Sequence, residues 1–291
     1  MQQKTPAIAF IDLTRDFPIG LRGYKLRALE KVNLQIPAKG IFGLLGPNGS
    51  GKSTAIKIIL GLLKPSAGSC EVFGKPAGNL ESRNRIGYLP ENPHFPSFLS
   101  GRELVLYFGG LSGMNHPQVK ERAEEVIELV GMAQSAHRKV RTYSKGMLQR
   151  IGLAQALVHN PDALVLDEPL SGLDPQGTQE VLDLLLTLRD KGKVILISSH
   201  LLTRVEEVCD RVAILHRGHL LKEGKLDQLL QEQGNTHTVE VTGLNEGTTA
   251  VDLKKLLQAN NLNVESIQAA RRPLDRVFLD IVQKDKETEK S

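Results

Sequence analysis

Residues 46–54 read Gly46-Pro47-Asn48-Gly49-Ser50-Gly51-Lys52-Ser53-Thr54. They fit the pattern G-x-x-x-x-G-K-S/T and lie between an apolar run, 41–45, and an apolar-periodic segment, 55–63. The sequence therefore predicts a phosphate-binding loop between a strand and a helix. Its glycines let successive backbone N–H groups converge on phosphate oxygens at the positive end of the helix dipole. Lys52 is expected to reach the β- and γ-phosphates of a nucleotide, and the Ser53 hydroxyl is expected to bind Mg²⁺.

A pair of acids follows a buried strand. The run 163–166 is continuously apolar, which is typical of a parallel strand buried on both faces, and it ends at Asp167 and Glu168. Ligands bind at the carboxyl ends of such strands. Asp167 is therefore predicted to hold Mg²⁺, directly or through water, and Glu168 to orient or deprotonate an attacking water.

Further segments are candidates for contacts with phosphate. Tyr143-Ser144-Lys145-Gly146-Met147 is a Ser/Gly turn before the predicted helix 148–159, so its backbone N–H groups predict a second anion site. A tight turn, 171–175, follows the acidic pair. His200 follows the predicted strand 193–198, where an imidazole could reach a γ-phosphate.

The chain has 291 residues and a net charge of +4, with 37 basic and 33 acidic residues interspersed. This length fits one large α/β domain with a small appendage. The mild basicity fits nucleic acid and an anionic membrane leaflet equally well. Cys70 and Cys209 lack metal-ligand spacing and are expected to be reduced thiols. No apolar run approaches the roughly 18 residues that cross a bilayer, so we expect a soluble chain that needs a partner for any membrane role.

The alternation of predicted strands and helices favours a parallel sheet covered by helices on both faces. The predicted strands of the main domain, 1–233, are 7–11, 28–36, 41–45, 69–73, 85–90, 163–167, 193–198 and, as the last, 211–215. A helical part is expected at about 91–160. A small accessory domain, 234–283, is expected to contain strands 237–242 and 264–269 and helices 251–259 and 274–282. A charged tail, 284–291, is expected to be disordered.

Two groups of aromatic residues leave alternatives open. Phe17 and Tyr24 lie in or beside the predicted loop between the first two strands, and either could stack on a nucleobase or close the edge of the core. The second group is either a docking surface for another chain or local core, and it consists of Phe95, Phe98, Tyr107 and Phe108 in the segment 91–113.

Together these motifs resemble the nucleotide-binding subunit of an ABC transporter over roughly residues 7–230. The phosphate loop, the signature at 143–147, the acidic pair, the turn 171–174 and His200 occur in that family's order. Ser144 lies 23 residues before Asp167, as the family requires. The resemblance implies an α/β fold with a P-loop NTPase core and a mainly parallel sheet. It also implies an N-terminal antiparallel β part, a helical insertion carrying the signature and a small α+β C-terminal appendage.

The resemblance implies how such a site works on ATP. Two subunits pair head to tail, and each ATP lies between the phosphate loop of one and the signature of the other. Ser144 and Gly146 are then expected to contact a γ-phosphate in trans, and Asp174 to communicate across the dimer. Glu168 is expected to be the catalytic base, and His200 is expected to steady the transition state.

Phe17 ends the first strand where the family places its adenine-stacking aromatic, and Tyr24 is the alternative. Two motifs depart from the family's pattern. Glu91 occupies the position of the glutamine that binds Mg²⁺ and the attacking water, and it adds a negative charge there. The usual Leu-Ser-Gly-Gly-Gln signature carries Tyr143, Lys145 and Met147 instead. These departures and the segment 274–279 resemble the ABC-2 branch, which mostly exports drugs, lipids or polysaccharides.

The first hypothesis is therefore an ATPase subunit on the cytoplasmic face of a bacterial inner membrane. It would drive an integral membrane exporter, pair with a second ATPase subunit, expected to be a second copy, and bind no nucleic acid. The second hypothesis is a soluble ABC-type ATPase acting on DNA or ribosomes. Only 92 residues separate Lys52 from Ser144, which leaves no room for the long coiled coil of the DNA-maintenance members. A third hypothesis, a nucleotide sensor with little turnover, is disfavoured by the intact Lys52, Glu168 and His200.

Overall fold

The computed structural model describes residues 5–19, 24–200, 202–230, 237–241 and 264–269. The strands of this part of the chain are β1 (Ile8–Ile19), β2 (Tyr24–Ile36), β3 (Gly40–Leu45), β4 (Ala67–Val72), β5 (Lys75–Pro76), β6 (Ile86–Leu89), β7 (Ala163–Asp167), β8 (Val194–Ser199), β9 (Arg211–His216), β10 (His219–Lys225), β11 (His237–Val241) and β12 (Val264–Ala269). Its α-helices are α1 (Lys52–Ile59), α2 (Leu80–Asn84), α3 (Gly101–Leu111), α4 (His116–Leu129), α5 (Lys145–Leu157), α6 (Pro175–Asp190), α7 (Leu202–Val208) and α8 (Leu226–Leu230).

A six-stranded sheet forms the centre of the molecule, in the order β10-β9-β3-β8-β7-β6. Its five strands from β9 to β6 are parallel, and β10 pairs antiparallel with β9. A second, antiparallel sheet has the order β2-β1-β4-β5. The fold class predicted from the sequence, a mainly parallel sheet with an N-terminal antiparallel β part, is confirmed.

Strand β3 shows how the layers are organised, because successive side chains of a strand point to opposite faces. Ile41 and Leu45 pack with the apolar side chains of α3 to α8 on one face. Phe42 and Leu44 pack on the other face with α1 and with strands of the antiparallel sheet. Helices therefore cover both faces as predicted, but among the described residues the second face is closed mainly by the smaller sheet.

Two parts of the strand prediction were wrong. The first strand does not end at Ile11, because the β1–β2 hairpin continues to the pair Ile19 and Tyr24. The prediction rested on the short apolar run 7–11, and beyond it register shifts after Phe10 leave no regular alternation of apolar and polar residues to mark the strand. The strand at 211–215, predicted as the last of the main domain, is β9, and a further strand, β10, follows it at the edge of the sheet. Its sequence is largely polar and exposed, so it lacks the apolar run of a buried strand.

The helical part between β6 and β7 contains α3, α4 and α5. Helix α3 begins with a capping box, in which Ser100 and Glu103 satisfy each other's backbone N–H groups. Phe95 and Phe108 contact edge to face at 6.0 Å and pack against the core, whereas Phe98 and Tyr107 are exposed. Phe95 and Phe108 therefore belong to the local core, whereas Phe98 and Tyr107 do not.

The predicted strands near residue 240 and at 264–269 are confirmed, because β11 and β12 form an antiparallel pair. The predicted helices 251–259 and 274–282, the segment 274–279 and the tail 284–291 lie outside the described residues. The boundaries of the accessory domain stay a prediction. Within the described part of the chain, every helix is too short or too polar to cross a membrane.

Candidate functional site

A cleft of about 320 Å³ opens where β3, β6, β7 and β8 end. Four groups of residues line it, namely the loop residues 48–54, the acids Glu91, Asp167 and Glu168, the imidazole of His200, and the hairpin residues Phe17, Leu26, Arg27 and Ala28. The carboxyl ends of parallel strands are the usual position of ligand sites in α/β sheets. The cleft thus brings together most of the site residues that the sequence predicts.

Two glycines of the loop between β3 and α1, Gly46 and Gly51, lie too close to neighbouring backbone for any residue with a Cβ atom. Gly51 has a φ of +109°, and a Cβ atom there would come within 2.6 Å of the Ala28 carbonyl oxygen. At Gly46 a Cβ atom would come within 2.3 Å of the Leu215 carbonyl oxygen. No side chain caps α1 at Gly51. A glycine N-cap has no side chain to bond the first-turn N–H groups of α1, which suits an anion at this helix end.

Lys52 is buried in this loop, with 6% of its surface exposed. Its Nζ donates hydrogen bonds to the carbonyl oxygens of Gly46 at 2.7 Å and Pro47 at 3.3 Å. Burial lowers the pKa of Lys52, and the carboxylates of Glu168, Asp167 and Glu91 oppose that shift. The loop's own carbonyl groups thus hold the ammonium group at the cleft.

The acidic pair ends β7 as predicted, and both carboxylates are largely buried. His200 follows β8, the next strand of the sheet, and its Nδ1 lies 2.9 Å from Oε2 of Glu168. The backbone N–H of His200 donates to the same oxygen at 3.4 Å. The three residues that the sequence assigned to metal binding, base catalysis and phosphate contact therefore form one cluster.

The donor set at the cleft suits Mg²⁺, which prefers a few protein oxygens together with phosphate and water. The Ser53 hydroxyl and the carboxylates of Asp167 and Glu91 all line the cleft. Within the described residues, no group of three or more His, Cys, Asp or Glu side chains could hold a metal ion unaided.

The structure places Phe17 at the cleft and Tyr24 outside it. Phe17 lines the cleft, and the guanidinium carbon of Arg15 lies 4.7 Å from its ring centroid. Tyr24 starts β2, is 69% exposed and does not line the cleft. Leu26, the cross-strand partner of Phe17, does line it. Sequence reasoning missed Leu26 and Arg27 because it placed the end of the hairpin in a loop, and it treated Ala28 only as the start of the strand 28–36.

The signature turn and the turn 171–174 lie outside this cleft. Ser144 caps α5, and its Oγ accepts a hydrogen bond from the Met147 N–H at 3.3 Å. Asp174 caps α6 by accepting from the Gly177 N–H at 2.7 Å. Both capping residues are exposed. A helix cap is a structural role, so a contact of Ser144, Gly146 or Asp174 with a second subunit stays a prediction.

The two turns pack against each other. The Lys145 ammonium occupies the space above Gly172, where a Cβ atom would lie 2.4 Å from Nζ. A Cβ atom at Gly146 would lie 3.7 Å from Leu173. The signature turn and the turn that follows the acidic pair are therefore neighbours in one chain.

The protein family "ABC transporter" matches residues 29–171. An uncharacterised ABC transporter ATP-binding protein of Nostoc is 36% identical over 97% of this chain and 92% of its own length. One from Synechocystis is 44% identical over 75% of this chain but only 61% of its own length. A linearmycin resistance ATP-binding protein of Bacillus subtilis is 34% identical over 78% of this chain and 74% of its own.

A solved structure agrees with these relatives. It is a dimeric ATP-binding cassette in a post-hydrolysis state, bound to ADP and Pi. It superimposes with a TM-score of 0.69 at 26% identity, covering 75% of this chain and 98% of the cassette. The chain therefore belongs to the ABC transporter family, as an ATP-binding subunit that hydrolyses ATP.

Proposed function

We propose that this subunit works as a head-to-tail dimer that drives a separate membrane-spanning exporter. The observation that carries the proposal is that the predicted ATP-contacting residues lie at two separate places on the chain. The phosphate loop, Asp167, Glu168 and His200 line one cleft, whereas Ser144 and Gly146 lie on another surface of the same chain. A second subunit can present its signature turn to this cleft, whereas the signature turn of the same chain lies outside it.

In this proposal each cleft residue has one task. Lys52 and the N-terminus of α1 bind the phosphates, and Phe17 stacks on the adenine. Ser53, Asp167 and Glu91 would hold Mg²⁺, which would neutralise negative charge on the nucleotide's phosphates. Glu168 accepts a proton from the attacking water, while His200 keeps that carboxylate oriented and lies ready to contact the γ-phosphate.

The exposed apolar residues of the helical part support a membrane-protein partner. Phe98 is 71% exposed, Tyr107 51% and Leu111 65%, all within the segment 91–113. Exposed apolar groups of this kind mark surfaces that other chains cover. One relative is named as a linearmycin resistance protein, and another, from Burkholderia lata, as a Nod factor export protein. These names and the two departures from the family's pattern support an exporter of the ABC-2 branch, with this subunit peripheral to the cytoplasmic membrane face.

The experiment is a mild-detergent purification of the tagged chain from its native membranes, with mass spectrometry of the proteins that accompany it. A stoichiometric integral membrane protein is expected. A parallel purification of a Phe98→Ser, Tyr107→Ser, Leu111→Ser variant should lose that protein and keep ATP binding. Recovery of ribosomal or DNA-associated proteins, with the bait in the soluble fraction, would instead assign the subunit to a soluble machine.

A further inference from the structure

Ser198 contacts the Asp167 carboxylate and the Glu168 backbone from the neighbouring strand. It belongs to β8 and is fully buried, with 0% of its surface exposed. In the parallel register of β7 and β8 it pairs directly with Asp167. No motif in the sequence points to this serine, since it looks like one more residue of a buried strand.

Its hydroxyl contacts both acidic residues. Ser198 Oγ donates a hydrogen bond to Oδ1 of Asp167 at 2.5 Å. The same Oγ accepts a hydrogen bond from the backbone N–H of Glu168 at 3.0 Å. A serine hydroxyl has one proton to donate, so its donor capacity is used on Asp167 and one acceptor site is used on Glu168.

The backbone of Glu168 needs such support. Its φ is +48°, which is uncommon for a residue other than glycine. Its N–H is shared between Ser198 Oγ and the Ser198 carbonyl oxygen, 3.2 Å away. Two acceptors from one buried residue therefore fix the peptide that joins the two carboxylates.

We infer that Ser198 is a positioning residue for this acidic pair. By binding Oδ1 of Asp167, it leaves the other carboxylate oxygen, Oδ2, as the one that would bind a metal. By holding the Glu168 N–H, it fixes the direction in which the Glu168 carboxylate leaves the strand. This inference rests on the proposed roles of Asp167 at the metal and Glu168 at the attacking water.

The test is the Mg²⁺ dependence of ATP hydrolysis in Ser198→Ala. Loss of an outer hydrogen-bond partner of a metal ligand typically costs about 10-fold to 100-fold in metal affinity or activity. We expect kcat to fall at least about 10-fold and the half-saturating Mg²⁺ concentration to rise by a similar factor. ATP affinity measured without Mg²⁺ should stay within about twofold, because Ser198 does not line the phosphate loop. Ser198→Thr keeps the hydroxyl and should recover most of the parental activity.

Ser82→Ala is the matched control. Ser82 is also 0% exposed, and its hydroxyl donates its one proton to the Asn79 carbonyl oxygen at 2.8 Å, with the Pro76 carbonyl oxygen 3.1 Å away, outside the cleft. Ser82→Ala should lower the melting temperature without changing the Mg²⁺ dependence of ATP hydrolysis. If Ser198→Ala does not fold, Ser198→Cys, whose thiol is a weak donor, replaces it in the same assay.

An alanine variant with the parental kcat and Mg²⁺ dependence would overturn the inference, as would a threonine variant impaired as severely as alanine. Glu168→Gln, measured alongside, separates this failure from failure of the proposed function. If Glu168→Gln is slow and Ser198→Ala is normal, only the role of Ser198 is wrong. If Glu168→Gln keeps the parental rate, the assignment of the acidic pair itself is wrong.

Discussion

Nδ1 of His200 lies 2.9 Å from Oε2 of Glu168, so the imidazole contacts the carboxylate of the proposed base. Glu168→Gln replaces this proposed base by a neutral amide. The variant should bind ATP but hydrolyse it at least about 100-fold more slowly, and it should accumulate as an ATP-bound dimer. Steady-state phosphate release and light scattering with and without ATP would measure both effects. Turnover near the parental rate would place the base elsewhere.

His200→Ala tests the other member of the contact. We expect kcat to fall about 100-fold with little change in ATP affinity, because the imidazole acts on the hydrolysis step. His137→Ala is the control, since His137 is exposed and does not line the cleft. A loss of ATP affinity with an unchanged kcat would show that His200 serves binding instead.

Lys52→Ala should raise the dissociation constant for ATP at least about 100-fold, because two charge-assisted contacts to phosphate are lost. Isothermal titration calorimetry would measure it. Lys57→Ala is the matched control, because Lys57 is an exposed lysine on the same helix, α1. An unchanged affinity in Lys52→Ala would exclude the phosphate-binding role of this lysine.

Glu91→Gln restores the family's usual residue at this position. Removing one carboxylate from the metal site should weaken Mg²⁺ binding by about 1 kcal/mol, or roughly fivefold, and relieve repulsion of metal-free ATP. The half-saturating Mg²⁺ concentration and the affinity for ATP in EDTA report these two effects separately. Identical values in parent and variant would show that Glu91 does not reach the metal.

Phe17→Ala should weaken ATP binding by about 1–3 kcal/mol, the usual range for stacking of a base on an aromatic ring. Binding of inorganic triphosphate, which has no base, should not change. Tyr24→Ala is the control, because Tyr24 is exposed and lies outside the cleft. Should Tyr24→Ala weaken ATP binding and Phe17→Ala leave it unchanged, the adenine would stack on the tyrosine.

Both cysteines are free and buried. Burial raises the pKa of Cys70 to about 12 and raises that of Cys209 as well. Both thiols should therefore stay protonated at pH 8, below their folded pKa values, and react slowly with a thiol reagent in the native protein. Unfolding should expose two reactive thiols. Rapid native reaction of either one would contradict its burial.

The parts of the site that the sequence predicts are those encoded by contiguous residues. The phosphate-binding pattern of the loop 46–54 occupies nine consecutive positions. An unbroken apolar run before Asp167 predicts β7. The contribution of Leu26 depends on its register with Phe17 across a hairpin that contains bulges. The contacts of Ser198 depend on pairing with a strand 31 residues earlier. Neither pairing leaves a local pattern, so neither contribution was predictable from the sequence alone.

The packing of Lys145 over Gly172 has a further consequence. The Ser171 N–H donates to the Glu168 carbonyl oxygen at 3.1 Å, so the acidic pair, the following turn and the signature turn form one connected unit. In the proposed dimer, a shift of Glu168 on binding ATP in one cleft would displace the surface that completes the other cleft. The two sites would then fill cooperatively, and the Hill coefficient for ATP would approach two. Lys145→Gly would release that link and return the coefficient towards one.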